Sequence, residues 1–539
     1  MQKNLEFPAI LCYNKAMETG VAETRNAETV TVSRAEYESL KEENAELTRK
    51  LEWLMEQLRL GRQKRFGASS EKTDEDGYEQ LSLLFNEAEV YADTEKTEPV
   101  VVAAHVRKRK SGSVKDILPE NIPVEVVEHR LPEEELACPV CGTEMVEIGK
   151  EVRQTLEMKP AQFYLREDWY YTYACRKCQN EEIETPVVKT PKEPAMIPGS
   201  YASASVVAHI AAQKFVMGSP LYRQEQELKR QGIMLTRQTM SNWLIWCEEH
   251  WLEPVYKELH LQMLLREVLH ADETTLQVLH ELGKKPQSKS FMWLYRTSGD
   301  TKHPIVLYEY QPDRKAEHPK KFLSGFQGYL HTDGYAGYHD LEGITVVGCW
   351  AHARRYFDEA LKSLPKGKQS ASSAATGLAY CTKLFHEEAK LAELPPEERY
   401  KKRLELEKPV LDALFAWAET RQVAPKSALG KALTYLKDQR PYLLAYLEDG
   451  RLELSNNRAE RSIKPFVIDR KNFLFANTPR GAQASAVIFS LIETAKENGL
   501  APYRYLAWVL EQAPRLSTEQ KDWARLLTPA NAPPGCRAT

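Results

Sequence analysis

No stretch of the 539 residues is apolar over the length that a bilayer crossing requires, so no membrane span is expected. The N-terminal patch FPAILCY lacks a basic lead and a small-residue cleavage site, so no secretory leader is expected either, and the chain reads as cytoplasmic. A disulfide framework is missing as well. The 9 cysteines are scattered apart from two close pairs, a pattern that points to metal. Nor is there an excess of positive charge: 73 Lys and Arg stand against 77 Asp and Glu, a net charge of −4. That balance does not exclude nucleic acid, because binding follows local patches and not the sum. The two basic runs, Arg62-Gln63-Lys64-Arg65 and Arg107-Lys108-Arg109-Lys110, read on their own as solvated linker. Residues 1–30 show no periodicity and are expected to be disordered.

What is present is the composition of a globular protein, with 42% hydrophobic and 28% charged residues. The length calls for several domains. Ser33 and Glu36 form a capping box that opens a helix. Behind it, Tyr37, Asn44, Leu51 and Leu58 repeat every seven residues, and so do Leu40, Leu47 and Leu54. This is a short coiled coil whose core Asn44 favours parallel pairing in register, so a homodimer or higher assembly is expected. The other reading is an amphipathic helix packed on its own chain.

Cys138 and Cys141 make one CxxC knuckle, and Cys175 and Cys178 make another. Four thiolates at this spacing suit one tetrahedral Zn²⁺, structural because protein fills every position. Phe163, Leu165, Trp169, Tyr171 and Tyr173 suggest hairpin strands between the knuckles. Farther on, Thr236 can cap a helix that turns Met240, Trp243 and Leu244 inward and Arg237, Gln238, Ser241 and Asn242 outward. A helix-turn-helix offers side chains to the major groove in this way. A helical packing domain without DNA contact fits the same pattern.

From residue 265 the pattern turns to strands. EVLHADETTLQVL, SFMWLYRT and PIVLYEYQ read as three antiparallel strands, PKKFLSGF as a short helix, GYLHTDGY and ITVVGCWAH as strands, and HARRYFDEALKSL as a helix. The order βββαβαβ is that of the ribonuclease-H-like fold, whose first and fourth strands are neighbours, which would set Asp272 beside Asp333. Residues 365–450 are helical and broken by Pro395, Pro396, Pro409, Pro425 and Pro441, so they read as an insertion. SNNRAERSIKP then returns to the core as a helix carrying Asn457, Glu460 and Lys464 on one face, with Pro465 ending or kinking it.

Asp272, Asp333 and Glu460 together would be a carboxylate trio without histidine or cysteine partners. Such a donor set prefers Mg²⁺ or Mn²⁺ to zinc. Two of these ions can activate an attacking oxygen and stabilise a leaving oxygen in a phosphodiester. Lys464, Arg354, Arg355, Arg461, Arg470, Lys471 and Arg480 are candidate phosphate contacts. Each of these residues also has a plainer reading as a turn, cap or solvated side chain.

The chain resembles the insertion sequence 66 family of bacterial DDE transposases. The resemblance is carried by CPVCG with CRKC, PLYRQEQELKRQGI, HADETTLQV, GYLHTDGYAGY, GCWAHARRYFDEA, NNRAERSIKPFVIDRKNFLF and SLIETAKENGLAPYRYL, over roughly Ser33 to Leu510. It implies that Asp272, Asp333 and Glu460 are the acidic triad and that the four cysteines bind zinc. It also implies cleavage and strand transfer at terminal inverted repeats, action on target DNA, and companion proteins from the same element. Cys349, Trp350, His352, Arg354 and Arg355 fall on a family signature. His352 could orient a catalytic acid, touch DNA or be structural. Ser455 departs from the acidic residue the family often has there.

The expected class is therefore a multidomain α/β protein. Its parts are a disordered N-terminus (1–30), coiled coil (31–66), linker (67–130), zinc-binding ribbon (131–190) and helix-turn-helix-like domain (191–260). A ribonuclease-H-like catalytic core follows (261–364 and 451–480), split by the helical insertion (365–450) and followed by a C-terminal helical region and tail (481–539). A non-catalytic DNA-binding regulator and a ribonuclease-H-like nuclease are the alternative functions.

Overall fold

The computed structural model describes residues 194–299 and 302–538, the short stretches 163–169, 172–174 and 187–189, and five helical residues between 38 and 50. The heptad seam, the linker and all four cysteines of the CxxC pairs lie outside the described residues. Strands β1 (Thr172–Ala174) and β2 (Val187–Lys189) pair antiparallel. Residues 163–169 form no strand, Tyr173 lies in β1, and Tyr171 lies outside the described residues. Phe163, Tyr164, Leu165 and Trp169 are exposed. No helix among the described residues is long and apolar enough to cross a membrane.

Four helices open the main body: α1 (Ala204–Phe215), α2 (Leu221–Arg230), α3 (Arg237–Cys247) and α4 (Glu253–Leu264). The Ser203 hydroxyl accepts from the Val206 amide and the Thr236 hydroxyl from the Thr239 amide, which fixes two of the starts. The sheet follows, in the order β5-β4-β3-β6-β7. Its strands are β3 (Val268–Gln277), β4 (Lys289–Thr297), β5 (Val306–Gln311), β6 (Gly328–His331) and β7 (Ile344–Val347). β3, β4 and β5 run antiparallel, whereas β6 lies parallel to β3 and β7 parallel to β6. A short helix, α5 (Glu317–Phe322), links β5 to β6. The first strand of the sheet lies beside the fourth, as expected, but only a three-residue 3-10 turn (Ala336–Tyr338) stands between β6 and β7, where the expected order has a helix. β7 ends earlier than the sequence suggested, and Trp350 already opens helix α6 (Trp350–Ser363).

The insertion is helical as expected. It comprises α7 (Ser373–Leu391), α8 (Pro396–Leu406), α9 (Lys408–Glu419), α10 (Ala428–Asp438) and α11 (Arg440–Leu444). Pro396, Pro409 and Pro441 sit in the first turns of their helices, where a missing N–H is not needed. The insertion has its own apolar core, which includes Trp350 and Phe357 of α6 and Val268 of β3. Arg403 is fully buried there, ion-paired with Glu388 and donating to the carbonyls of Tyr446, Asp449 and Leu452.

The chain then enters α12 (Asn457–Phe473), α13 (Pro479–Glu497), α14 (Pro502–Glu519) and α15 (Trp523–Leu526). Of the two expected effects of Pro465, ending the helix and kinking it, the first does not occur. The helix continues eight residues beyond it, to Phe473, and buried Ile463 and Phe466 on either side hold it to the core. Packing outweighs the lost hydrogen bond.

Glu309 on β5 faces the side of the sheet away from α12. Burial raises its carboxyl from the usual 4.5 to about 7. A raised folded-state value means that the group favours folding below pH 4.5 and that this contribution is lost as pH rises through 7. Glu309→Gln should therefore leave stability near pH 4.5 unchanged and raise it by about 2 kcal/mol at pH 8, measured by urea unfolding. Equal effects at both pH values would contradict this.

Candidate active site

Directly opposed strand residues share a face of the sheet. Asp272 on β3 opposes Leu294 on β4, and Leu294 opposes Tyr308 on β5. The Tyr308 hydroxyl donates to the Ser462 carbonyl of α12, so this row, Asp272 included, faces α12. His270, two residues before Asp272, lies opposite His331 of β6. Continuing that parallel register by two residues brings the turn carrying Asp333 alongside Asp272. Glu460 comes to the same place from the first turn of α12.

The electrostatics record the meeting. Burial pushes the Asp272 carboxyl well above the ordinary range, and the charges of Asp333, Glu273 and Glu460 push it further. Glu460 rises to about 7 through burial, with Asp333 adding and Arg355 opposing. Glu273, on the other face of β3, also rises to about 7 through burial and then Asp333, although Arg314 pairs with it and the Tyr338 hydroxyl donates to it at 2.8 Å. All three predicted carboxylates thus share one electrostatic neighbourhood, together with a fourth that the sequence reading did not single out.

Glu460 also has partners of its own. Its Oε2 lies 3.4 Å from an Arg355 Nη2 donor and its Oε1 lies 3.6 Å from His352 Nδ1. Burial, and then the Arg355 charge, lower the His352 imidazole to about 4, so it is neutral at physiological pH. Among the described residues, ligand atoms of three His, Cys, Asp or Glu residues lie mutually within 4.8 Å at Cys349, His352 and Glu460 and at Asp313, Glu317 and His318. The three carboxylates are set more loosely than that. Their chemistry still fits a hard divalent cation, since they offer only oxygen and a cation would offset the repulsion among them.

Several residues that the sequence reading missed hold this arrangement. His270 and His331 are fully buried and stacked, with centroids 4.3 Å apart. Asn456, the residue just before α12, receives a hydrogen bond from His270 Nδ1 at 3.1 Å and donates to the Ala271 carbonyl at 2.8 Å. It ties the helix of Glu460 to the strand of Asp272. The only sequence signal was a repeated His-x-Asp, in HAD and HTD. From the insertion, the Tyr435 hydroxyl donates to the Asp333 carbonyl at 3.1 Å. Gly334 has φ +96°, and a Cβ there would come 3.0 Å from the Gln439 side chain. Only glycine fits this turn comfortably.

The expected phosphate contacts divide. Arg355 and Lys464 are partly exposed, and Arg461 and Lys471 are exposed, Lys471 about three turns along α12 from Glu460. Arg354 is a correction: it is 3% exposed, close to the Cys381 thiol of the insertion, and turned away from any phosphate in solvent. Arg470 is half-buried and donates to Thr274 Oγ1 and Thr275 Oγ1 of β3, both at 3.1 Å, so it braces the strand. Arg480 pairs with Glu249. On α3, Met240, Trp243 and Leu244 are buried, as expected. Arg237, Gln238 and Asn242 are exposed and Ser241 is half-buried. Gln238 donates to Asn242 Oδ1 at 2.9 Å.

Comparison with known proteins gives the class first, and it is that of a transposase. The family model described as "Transposase IS66 family" matches residues 199–484, which hold the sheet, the insertion and all three carboxylates. The "zinc-finger binding domain of transposase IS66" matches residues 135–179, including all four paired cysteines. "Transposase C of IS166 homeodomain" matches 53–127 and "IS66 C-terminal element" matches 490–528. The chain belongs to the IS66 transposase family. Its relatives include y4hP of Sinorhizobium fredii (strain NBRC 101917 / NGR234), 30% identical over 80% of this chain and 79% of that one. From the same organism, y4jD is 31% identical over 76% and 80% of the two chains. The Drosophila P element transposase, solved in a strand transfer complex, overlaps 54% of this chain and 93% of its own at 13% identity and a TM-score of 0.32, too loose a likeness to bear on the site.

Removing one charge from the cluster should relieve strain. Asp272→Asn should raise the melting temperature of metal-free protein at pH 8 by ~2–4 °C in a thermal scan. A fall would mean that repulsion does not dominate at this carboxylate.

Proposed function

We propose that this chain cuts and joins DNA at the ends of its insertion sequence, using a ribonuclease-H-like core in which Asp272, Asp333 and Glu460 hold two Mg²⁺ or Mn²⁺ ions. The observation that carries this reading is the convergence of these carboxylates from β3, the turn after β6 and α12 inside the region matched by the transposase family. When bound, such ions supply Lewis-acid stabilisation of the attacking and leaving oxygens.

The chain's own groups do the rest. Asp272 presents its carboxylate from the middle of β3 and Asp333 from the turn after the adjacent β6, and Glu460 completes the set by turning from His352 towards the Asp pair. Asn456 fixes the start of its helix against β3, and Tyr435 fixes the turn of Asp333. Arg355, Lys464, Arg461 and Lys471 neutralise phosphates along the strand being cut. In the first step water attacks the phosphorus at the element's end, and the bond to the 3′ oxygen breaks. That oxygen takes up a proton and leaves as a 3′-hydroxyl. In the second step this hydroxyl attacks a phosphodiester of target DNA, forming the new bond and releasing a target 3′-hydroxyl.

Recognition of the terminal repeat falls to α3 as the second helix of a helix-turn-helix-like pair with α2, through Arg237, Gln238, Ser241 and Asn242. Cys138, Cys141, Cys175 and Cys178 hold one structural Zn²⁺. The N-terminal heptads join two copies so that both ends of the element are engaged.

Asp333→Asn should reduce Mg²⁺-dependent nicking and joining of an end-containing duplex by on the order of a thousandfold, while gel-shift binding of that duplex is retained. Cleavage at the wild-type rate would overturn the assignment. Nicking without joining by the wild type would make the protein a nuclease.

A further inference from the structure

Glu460 belongs to a second cluster of different chemistry. Cys349, just before the first residue of α6, His352 within its first turn, and Glu460 on α12 bring a sulfur, an imidazole nitrogen and a carboxylate oxygen within 4.8 Å of one another. Cys349 is fully buried and Glu460 is 4% exposed. His352 Nδ1 and Glu460 Oε1 are both buried without a hydrogen-bond partner, and they face each other at 3.6 Å. A buried nitrogen and oxygen left unsatisfied cost stability, and a cation between them satisfies both. The Asn456 amide donates to Cys349 Sγ at 3.2 Å. The cluster of Asp313, Glu317 and His318 offers no such opening, because His318 already bonds Asp313 at 2.5 Å and Lys315 pairs with it at 3.0 Å.

The donor set separates this cluster from the Asp pair. Thiolate and imidazole select zinc over magnesium, whereas oxygen donors alone do the reverse. We propose that Cys349, His352 and Glu460 form a zinc-selective site that, when filled, engages Glu460 and withholds it from Asp272 and Asp333, switching off cleavage. Three protein ligands and a water complete the usual four-coordinate sphere. Arg355 must yield for this to happen. It lies 3.4 Å from His352 Nε2, and an imidazole that gives Nδ1 to a metal carries its proton on Nε2. The Arg355 side chain is 34% exposed and has room to swing away. The binding claim stands on this cluster alone, and the inhibitory claim rests also on Glu460 as a member of the catalytic trio.

The test uses the full chain with its cysteine ribbon preloaded with zinc, titrated with Co²⁺ in excess Mg²⁺. Wild type should take up one further equivalent and develop thiolate-to-cobalt absorption. Cys349→Ser and Cys349→Ala should not, while both melt as sharply as wild type. In parallel, Zn²⁺ is titrated into the end-cleavage reaction, with each protein scored against its own zinc-free rate. The inhibition midpoint should rise by about tenfold or more in both cysteine variants. Cobalt spectra that are the same with and without Cys349, or no cobalt band beyond the ribbon in wild type, would overturn the site. Cobalt binding at Cys349 without zinc inhibition of a cleaving enzyme would overturn the switch. A wild type that never cleaves would instead overturn the reading of the trio, and the cobalt result would still decide the site.

Discussion

Repulsion among half-buried and buried carboxylates at one end of a sheet is the constraint that the rest of the molecule answers to. Burial raises the proton affinity of Asp272, Glu273 and Glu460, and the charge of Asp333 adds to each. Such a cluster persists only where the surrounding structure over-determines it. Here the restraints come from all sides. Parallel pairing of β3 with β6 fixes the two aspartates, and Asn456 fastens the helix of Glu460 to β3. Arg314 screens Glu273, and Arg355 lies beside Glu460.

The helical insertion takes part in this restraint. It sits between α6 and α12 in sequence, and its own core reaches β3 and β7 through Val268 and Val347. Tyr435 holds the Asp333 carbonyl, and the Gly348 amide that follows β7 donates to the Tyr442 carbonyl at 2.9 Å. The insertion therefore buttresses two of the strand ends from which the site is built. Its loss would be felt first at Asp333, on the turn that the sheet alone leaves free to move.

How much of this was legible in the sequence follows from the range of each interaction. The strands of the sheet showed in their alternation and β-branched content, and their order was enough to place Asp272 next to Asp333. Glu460 lies on a polar helix that periodicity alone would assign to solvent, so spacing only suggested it and the family-like strings strengthened its place in the trio. The Asn456 bridge to His270 spans 186 residues, and no local pattern encodes such a contact. Arg354 and Arg470 looked like phosphate contacts because a basic residue near a carboxylate reads that way. One proved to be buried beside the insertion and the other to brace β3, since an Arg stem and fork can serve packing as well as charge. Pro465 read as a helix end or a kink, and it is not an end because the burial of its neighbours outweighs local propensity. The heptads and the cysteine knuckles lie outside the described residues.

The central claim is that three distant carboxylates share divalent cations, and anomalous diffraction from crystals of the protein with an end duplex, soaked in Mn²⁺, tests it most directly. The account predicts manganese peaks between Asp272 and Asp333 with Glu460 turned towards them. No peak at the aspartates, with Glu460 still against His352, would contradict it.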